Sequence, residues 1–386
     1  MSKHFVHSQK SASYKTLLDA LRDLNYKPCM STFSLALLFL TIGANSWASM
    51  EGINPRALER YTVGSASRPC CNFALSTFTD LFGISRMASV DDLGTHRFAH
   101  PKNKKNSDEK SGLTFTCRAG FIDIAHVRDS ADWTAHLMKI VEMNTGTGNE
   151  VEVHQEGGAK KVLFFPKLPF MIFLRSDRDV GLVARRIAYE LGVWHEIATG
   201  FEAHVSTSFA KETSSAFSVE DNYSNMLGGI IGVKAYFDER PYEEAVTAIL
   251  KETLEDYGAV SLEKTVLAHE MLEDVWWVKK FKPNKSVMLK KSMTTYGNLL
   301  PARHPQLEAL GCPADTVLEM LKAPERRNFD TATYFQLRVT PNRKIRKIAE
   351  KVFGEERVVL VPQDFPAMID ALSTRFDTYL PADWKI

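Results

Sequence analysis

The chain has 386 residues, of which 44% are apolar and 25% charged, with a formal net charge of +1. These are ordinary values for a globular protein with a large core, and near-neutrality excludes an overall field that would gather nucleic acid or an anionic membrane. The short basic runs Lys102-Asn103-Lys104-Lys105 and Lys279-Lys280-Phe281-Lys282 read as solvated surface.

The first predicted element is a secretory signal. Phe33 to Ile42 is almost wholly apolar but too short for a span of about 20 residues, and Ser46-Trp47-Ala48 puts small residues at the −3 and −1 positions of a cleavage site after Ala48. The pre-region is long, and a start at Met30 would shorten it while losing Lys27. The expectation is a pre-region and signal over 1–48 and a periplasmic or secreted mature protein, with membrane contact only through the signal before cleavage. Export would leave Cys70, Cys71, Cys117 and Cys312 in a disulfide-permitting compartment. Four cysteines allow three pairings. A Cys70–Cys71 bridge would strain the peptide between them, which favours distant partners or free thiols.

Residues 50–112 are rich in turn formers. Leu113 to Arg118 reads as a strand broken at Gly120, followed by a helix over Ile122 to Met143. Glu150 to His154 alternates, turns at Glu156-Gly157-Gly158 and returns over Lys161 to Phe165, which is a hairpin. Val180, Ala184, Ile187, Leu191, Trp194, Ala198 and Phe201 then recur at helical spacing behind a Ser176 or Asp177 cap. Ser218-Val219-Glu220-Asp221 resembles a capping box for a helix through Tyr236. Further helices fit Tyr242 to Tyr257, Leu262 to Val278 and Ala314 to Leu321. The tail reads strand–helix–strand–helix over Tyr334 to Val339, Asn342 to Phe353, Arg357 to Pro362 and Phe365 to Phe376. The fold class is therefore α+β: a mainly helical domain with a β-hairpin over 50–330, and a small C-terminal α/β subdomain over 331–386 packed on it. No Walker loop, GxGxxG or GxSxG occurs, so nucleotide binding and the usual serine-hydrolase elbow lack support.

Polar residues concentrate in three helical segments. Asp123, His126 and Asp129 sit three apart, so neighbours can touch and a carboxylate can fix the imidazole tautomer; Asp123 alone is explained as a first-turn acid. His195-Glu196 resembles the first half of the zinc motif HExxH, but Thr199 stands where the second His belongs, so any metal needs ligands from another helix. Glu220 and Asp221 either serve the start of their helix or complete a site with His126 and His195. Gly228 and Gly229 inside that helix cost about 1 kcal/mol each against Ala, which makes sense if another element packs there.

Arg68-Pro69-Cys70-Cys71, Arg118 to Asp129, Trp194 to Thr199, Phe217 to Leu227 and Trp276-Trp277 together resemble an uncharacterised family of exported bacterial proteins, a domain of unknown function covering roughly residues 65–310. The resemblance implies an envelope or secreted setting and segments that meet in space, and brings no activity with it.

Three readings follow. One is a hydrolase dependent on zinc or another divalent metal, acting on an envelope or extracellular substrate, with His126, Asp129, His195, Glu220 and Asp221 as metal ligands and Glu196 as general base. Another is a metal-free enzyme using a His–carboxylate pair, with Trp133, Trp194, Trp276 and Trp277 as candidate cleft walls. The third is a binding or scaffold protein whose His and acids form a structural network. Proximity of the His126 and His195 rings at an open cavity separates the first two from the third. His154, His269 and His304 are given no role.

Overall fold

The structure, a computed structural model, describes residues 68, 87–98, 107–154, 156–166, 177–201, 215–279, 286–325 and 330–379. The expected signal segment over 1–48, Cys70 and Cys71 lie outside the described residues.

Strands β1 (Leu113–Thr116) and β2 (Gly120–Asp123) form a short antiparallel hairpin. Gly120 has φ +66°, and a Cβ there would run into the Ala302 carbonyl, so this turn needs glycine. Asp123 ends β2 and caps α1 (Ile124–Asn144): its Oδ1 accepts from the amides of Ala125 at 2.7 Å and His126 at 3.2 Å. α1 is buried along most of its length.

It packs against two further helices, α2 (Asp177–Gly200) and α3 (Asp221–Tyr236), which also touch each other. The apolar stripe expected along α2 is buried, with Val183, Ala184, Ile187, Trp194, Ile197 and Ala198 at or close to full burial. The glycines of α3 explain how near α1 comes. A Cβ on Gly228 would collide with the Val127 carbonyl, and one on Gly232 would stand 2.6 Å from that of Ala131. α4 (Tyr242–Asp256) lies against α3.

Between α1 and α2 run β3 (Glu150–His154) and β4 (Gly158–Phe164), the expected hairpin. After α5 (Leu262–Glu270) come the paired strands β5 (Trp277–Lys279) and β6 (Ser286–Met288). The C-terminal strand β7 (Phe335–Pro341) pairs antiparallel with β4, from Gly158↔Pro341 to Phe164↔Phe335, making the hairpin a three-stranded sheet ordered β3-β4-β7. Its alternation buries Phe335, Leu337 and Val339. α6 (Arg343–Phe353) is capped by Asn342, and α7 (Phe365–Tyr379) packs on α2, with Phe365 and Trp194 ring centres 5.7 Å apart. The α+β class is as the sequence predicts.

Four expected elements differ. The helix expected to reach Val278 stops at Glu270: Trp277 turns back to stack on His269 at 4.3 Å and to donate to its carbonyl at 3.1 Å. Eight residues along a continuous helix are about 12 Å apart, so the chain must break, and Asp274 at φ +66° does so. Ala314 to Leu321 is not helical. Val317, Leu318 and Met320 are exposed, leaving no apolar face to hold a short helix, and Leu321 instead exchanges backbone hydrogen bonds with Leu299. Of Arg357 to Pro362, Leu360 alone forms a bridge, to Val339; Val358 and Val359 face solvent and Pro362 opens a 3₁₀ turn. The capping box at Ser218 does not form. Its hydroxyl donates to Glu220 Oε2 at 2.7 Å, and α3 begins at Asp221 without a side-chain cap.

Cys117 and Cys312 form a disulfide, with Cα atoms 5.4 Å apart and a sequence separation of 195.

Candidate metal centre

Three helix ends converge: the first turns of α1 and α3 and the last turns of α2. Helix N-termini carry partial positive charge and favour carboxylates, while the carbonyl end of α2 favours a cation. Asp123 and His126 come from α1, His195 and Glu196 from α2, and Glu220 and Asp221 from the entry to α3. All but His195, which is about one-seventh exposed on its side chain, are buried.

The imidazoles are held in complementary ways. Asn225, one turn after Asp221 on α3, accepts from the Ser130 hydroxyl at 2.7 Å through Oδ1, and the same oxygen lies 3.2 Å from His126 Nδ1. An acceptor there makes Nδ1 the N–H of His126 and leaves Nε2 as the lone-pair nitrogen. That Nε2 is 3.4 Å from Asp221 Oδ1 and 4.0 Å from Glu196 Oε1. His195 repeats the arrangement, with Nδ1 2.7 Å from Glu156 Oε1 and Nε2 4.0 Å from the same Glu196 Oε1. The two rings are 6.3 Å apart. A lone-pair nitrogen facing a carboxylate oxygen is repulsive unless a cation or proton stands between them. Two ligands of one tetrahedral ion with bonds of about 2.1 Å stand about 3.4 Å apart, the separation found between His126 and Asp221. Asp123, His126 and Asp221 each offer a ligand atom within 4.8 Å of the others. This buried Asp–His–Asp group could hold a metal ion.

Glu196 Oε2 is tied to the Phe217 amide at 2.6 Å, which fixes Oε1 toward the histidines. Phe217 has φ +56°, an uncommon backbone for a residue with a side chain. Glu196 Oε1, Glu220 Oε1 and both Asp221 oxygens are buried and make no hydrogen bond among the described residues. Burial raises the Asp221 carboxyl well above the ordinary range, and the charges of Glu196, Glu220 and Asp123 raise it further. Burial likewise raises Glu220, against the Ser218 hydroxyl.

A pocket opens onto this floor, lined by His126, His195, Asn225, Trp133, Leu191 and Lys160 among others. The Lys160 ammonium donates to the Glu156 carbonyl at 2.9 Å and lies 3.5 Å from its carboxylate, and burial pushes it down to about 8.

Of the residues singled out from sequence, His126, His195, Glu196 and Asp221 meet here, with Glu220 beside them. Asp129 lines the same pocket but is engaged by Arg68: it accepts from the Arg68 guanidinium at 2.5 Å and the Arg68 amide at 3.4 Å. Arg68 also binds Glu109 at 2.6 Å and Asp132 at 3.0 Å, and His96 binds Asp132 at 2.8 Å. This is a buried ionic network that borders the same pocket through Arg68 and Asp129. Trp133 lines the pocket, whereas Trp194, Trp276 and Trp277 are core. His154 also lines the pocket, its ring 5.4 Å from Trp133, although no sequence pattern pointed to it. Asn225 and Glu156 were missed as well. Asn225 was open to detection, four residues after Asp221 on one helix face; Glu156 in a hairpin turn carried no such signal. Asp123 caps its helix as expected and also joins the donor group.

No curated protein and no solved structure matches the chain. A family model described as "Protein of unknown function (DUF4056)" matches residues 59–305, a span that contains every donor of the site and ends ahead of β7, α6 and α7. The chain belongs to that family.

Proposed function

We propose that this protein is an exported hydrolase that depends on a divalent metal and acts on an envelope or extracellular substrate. The observation that carries the reading is the shared target of two histidines. His126 and His195, each fixed at Nδ1 by an acceptor, direct Nε2 at one carboxylate oxygen of Glu196. A carboxylate or amide behind a ligand imidazole is the usual support of a metal-binding histidine. Oxygen and imidazole donors together suit zinc, manganese or iron.

His126, His195, Glu196 and Asp221 are the ligand set of this reading. Glu196 serves as a ligand rather than as the free base expected from sequence, because Oε1 is equidistant from both imidazoles and Oε2 is occupied by Phe217. Asp129 is left out because Arg68 holds it. The ion would supply Lewis acidity toward a polar substrate oxygen and a more acidic water. The chain's own part is to present that ion to the pocket, where Trp133 and Leu191 give an apolar wall and Asn225 and Lys160 give donors. Export is supported by the Cys117–Cys312 bridge together with the apolar stretch over 33–42.

A scaffold reading fits the Arg68–Glu109–Asp132–His96 network, whose charges answer one another, better than it fits the His126 cluster, whose carboxylate oxygens do not.

The test is to purify the full chain from an oxidising compartment without chelator and measure bound metal by mass spectrometry, beside His126→Ala and His195→Ala. Near-stoichiometric metal, lost in both folded variants, with metal-dependent turnover on an ester, amide, phosphoester or glycoside panel, is expected. A chain that stays metal-free after dialysis against zinc and manganese sinks the reading.

A further inference from the structure

We infer that the site takes two divalent ions, bridged by Asp221, with Glu220 and Asp123 completing the shell of the second. This rests on the metal-centre reading above and extends it.

The argument is one of unanswered donors. A four-coordinate ion on His126, His195 and Glu196 accepts one oxygen of Asp221. Asp221 is fully buried, and neither of its oxygens has a hydrogen bond among the described residues. One oxygen faces His126 Nε2 at 3.4 Å, so a single ion there leaves the other bare. Glu220 is also fully buried, and its Oε1 is bare while Oε2 is held by Ser218. Asp123 supplies an atom within 4.8 Å of both the His126 and Asp221 donors, although one of its oxygens caps α1.

The donors thus fall into two groups that share Asp221, whose two oxygens can face different ions, while His126 offers the single lone pair of Nε2. One reaches toward α2 and the pocket, and the other toward the entry of α3. Bare carboxylate oxygens in a dry interior are costly unless a cation meets them. Nearby, the Lys291 ammonium donates to the Ala216 carbonyl at 2.7 Å, and its charge also acts on Asp221. One lysine and one ion leave these carboxylates in excess, whereas a second ion removes the excess. Carboxylate-bridged pairs of ions stand about 3.5–4 Å apart and clamp the two oxygens of an in-line displacement. The pocket-side ion would meet substrate first, since His126 and His195 line the pocket.

The experiment loads the full chain with manganese chloride, removes excess ion by desalting, and reads ions per chain by mass spectrometry and coupling by electron paramagnetic resonance. Two manganese ions per chain with an exchange-coupled spectrum are expected, falling to one ion with an ordinary mononuclear pattern in Glu220→Gln. One ion per unaltered chain, or two that are magnetically uncoupled, overturns the pair and leaves the single-ion reading standing. No ion at all removes both. A Glu220→Gln protein that keeps two coupled ions also overturns the assignment. If that variant does not fold, stoichiometry and spectrum of the unaltered chain decide.

Discussion

Glu156 shows how a residue outside the donor set governs it. Its carboxylate lies 2.7 Å from His195 Nδ1, so it holds the tautomer that frees Nε2 for a ligand role, and Lys160 steadies it from behind. Glu156→Gln keeps the shape and removes the charge. We expect metal affinity to fall about 10- to 100-fold, read by competition with a chromogenic chelator, with the fold unchanged by circular dichroism. An unchanged affinity would mean that His195 is not a ligand. His96 gives a prediction of another kind. Burial holds it well below its ordinary value, and the charges of Arg68 and Arg128 push the same way. The unfolded chain then binds this proton first, so stability due to His96 is present above about pH 6.5 and is lost as pH falls below it. Glu109, held down to about 2 chiefly by Arg68 against its burial, adds a loss that runs from about pH 4.5 down toward 2. Glu190, pushed up to about 7 by burial, works in the opposite sense, so the comparison must be with His96→Gln. Urea midpoints between pH 7 and 5 should drop more steeply in the unaltered protein than in that variant.

At the scale of elements, the helix contact between α1 and α3 carries the site. Gly228 and Gly232 allow the two backbones to approach, and that approach brings Asn225 and Asp221 to His126. Gly228→Ala would drive a methyl into the Val127 carbonyl, costing about 1–3 kcal/mol in chemical denaturation and lowering metal occupancy with it. The sequence made this contact partly visible, since a pair of glycines inside a helix needs a reason. It also made α1, α2, the hairpin and α6 visible, because each has regular spacing and either a cap or a turn to bound it. What it hid follows from the same logic. The break after Glu270 serves a stacking between His269 and Trp277 that no local pattern announces. The extended run to Leu321 exists for a partner at Leu299, a tertiary fact. His126, His195 and Asp221 were legible because polar groups on apolar helix faces stand out, whereas Asp129 stood out equally and belongs to Arg68, 61 residues away.

For the whole molecule, the C-terminal segment lies beyond the family match yet supplies β7 to the sheet and α7 to the back of α2. Since α2 carries His195 and Glu196, truncation before residue 335 should loosen the site without touching a donor. Loss of metal binding in a chain ending at 330, with much of the helical signal retained, is the expected result. Covalent closure acts at the same scale. Replacing Cys117 and Cys312 by serine should lower stability by about 2–4 kcal/mol, measured by urea unfolding, while leaving metal stoichiometry as it was.

The same bridge encloses the chemistry. Every donor from Asp123 to Asp221 lies within the 195-residue loop that Cys117 and Cys312 close. An oxidised chain therefore keeps all the candidate donor groups on one tethered ring even when it unfolds, so they stay at high mutual concentration. A reduced chain scatters them along an open polymer. On the proposed metal-dependent reading, oxidation before metal uptake is then the order in which maturation would run fastest.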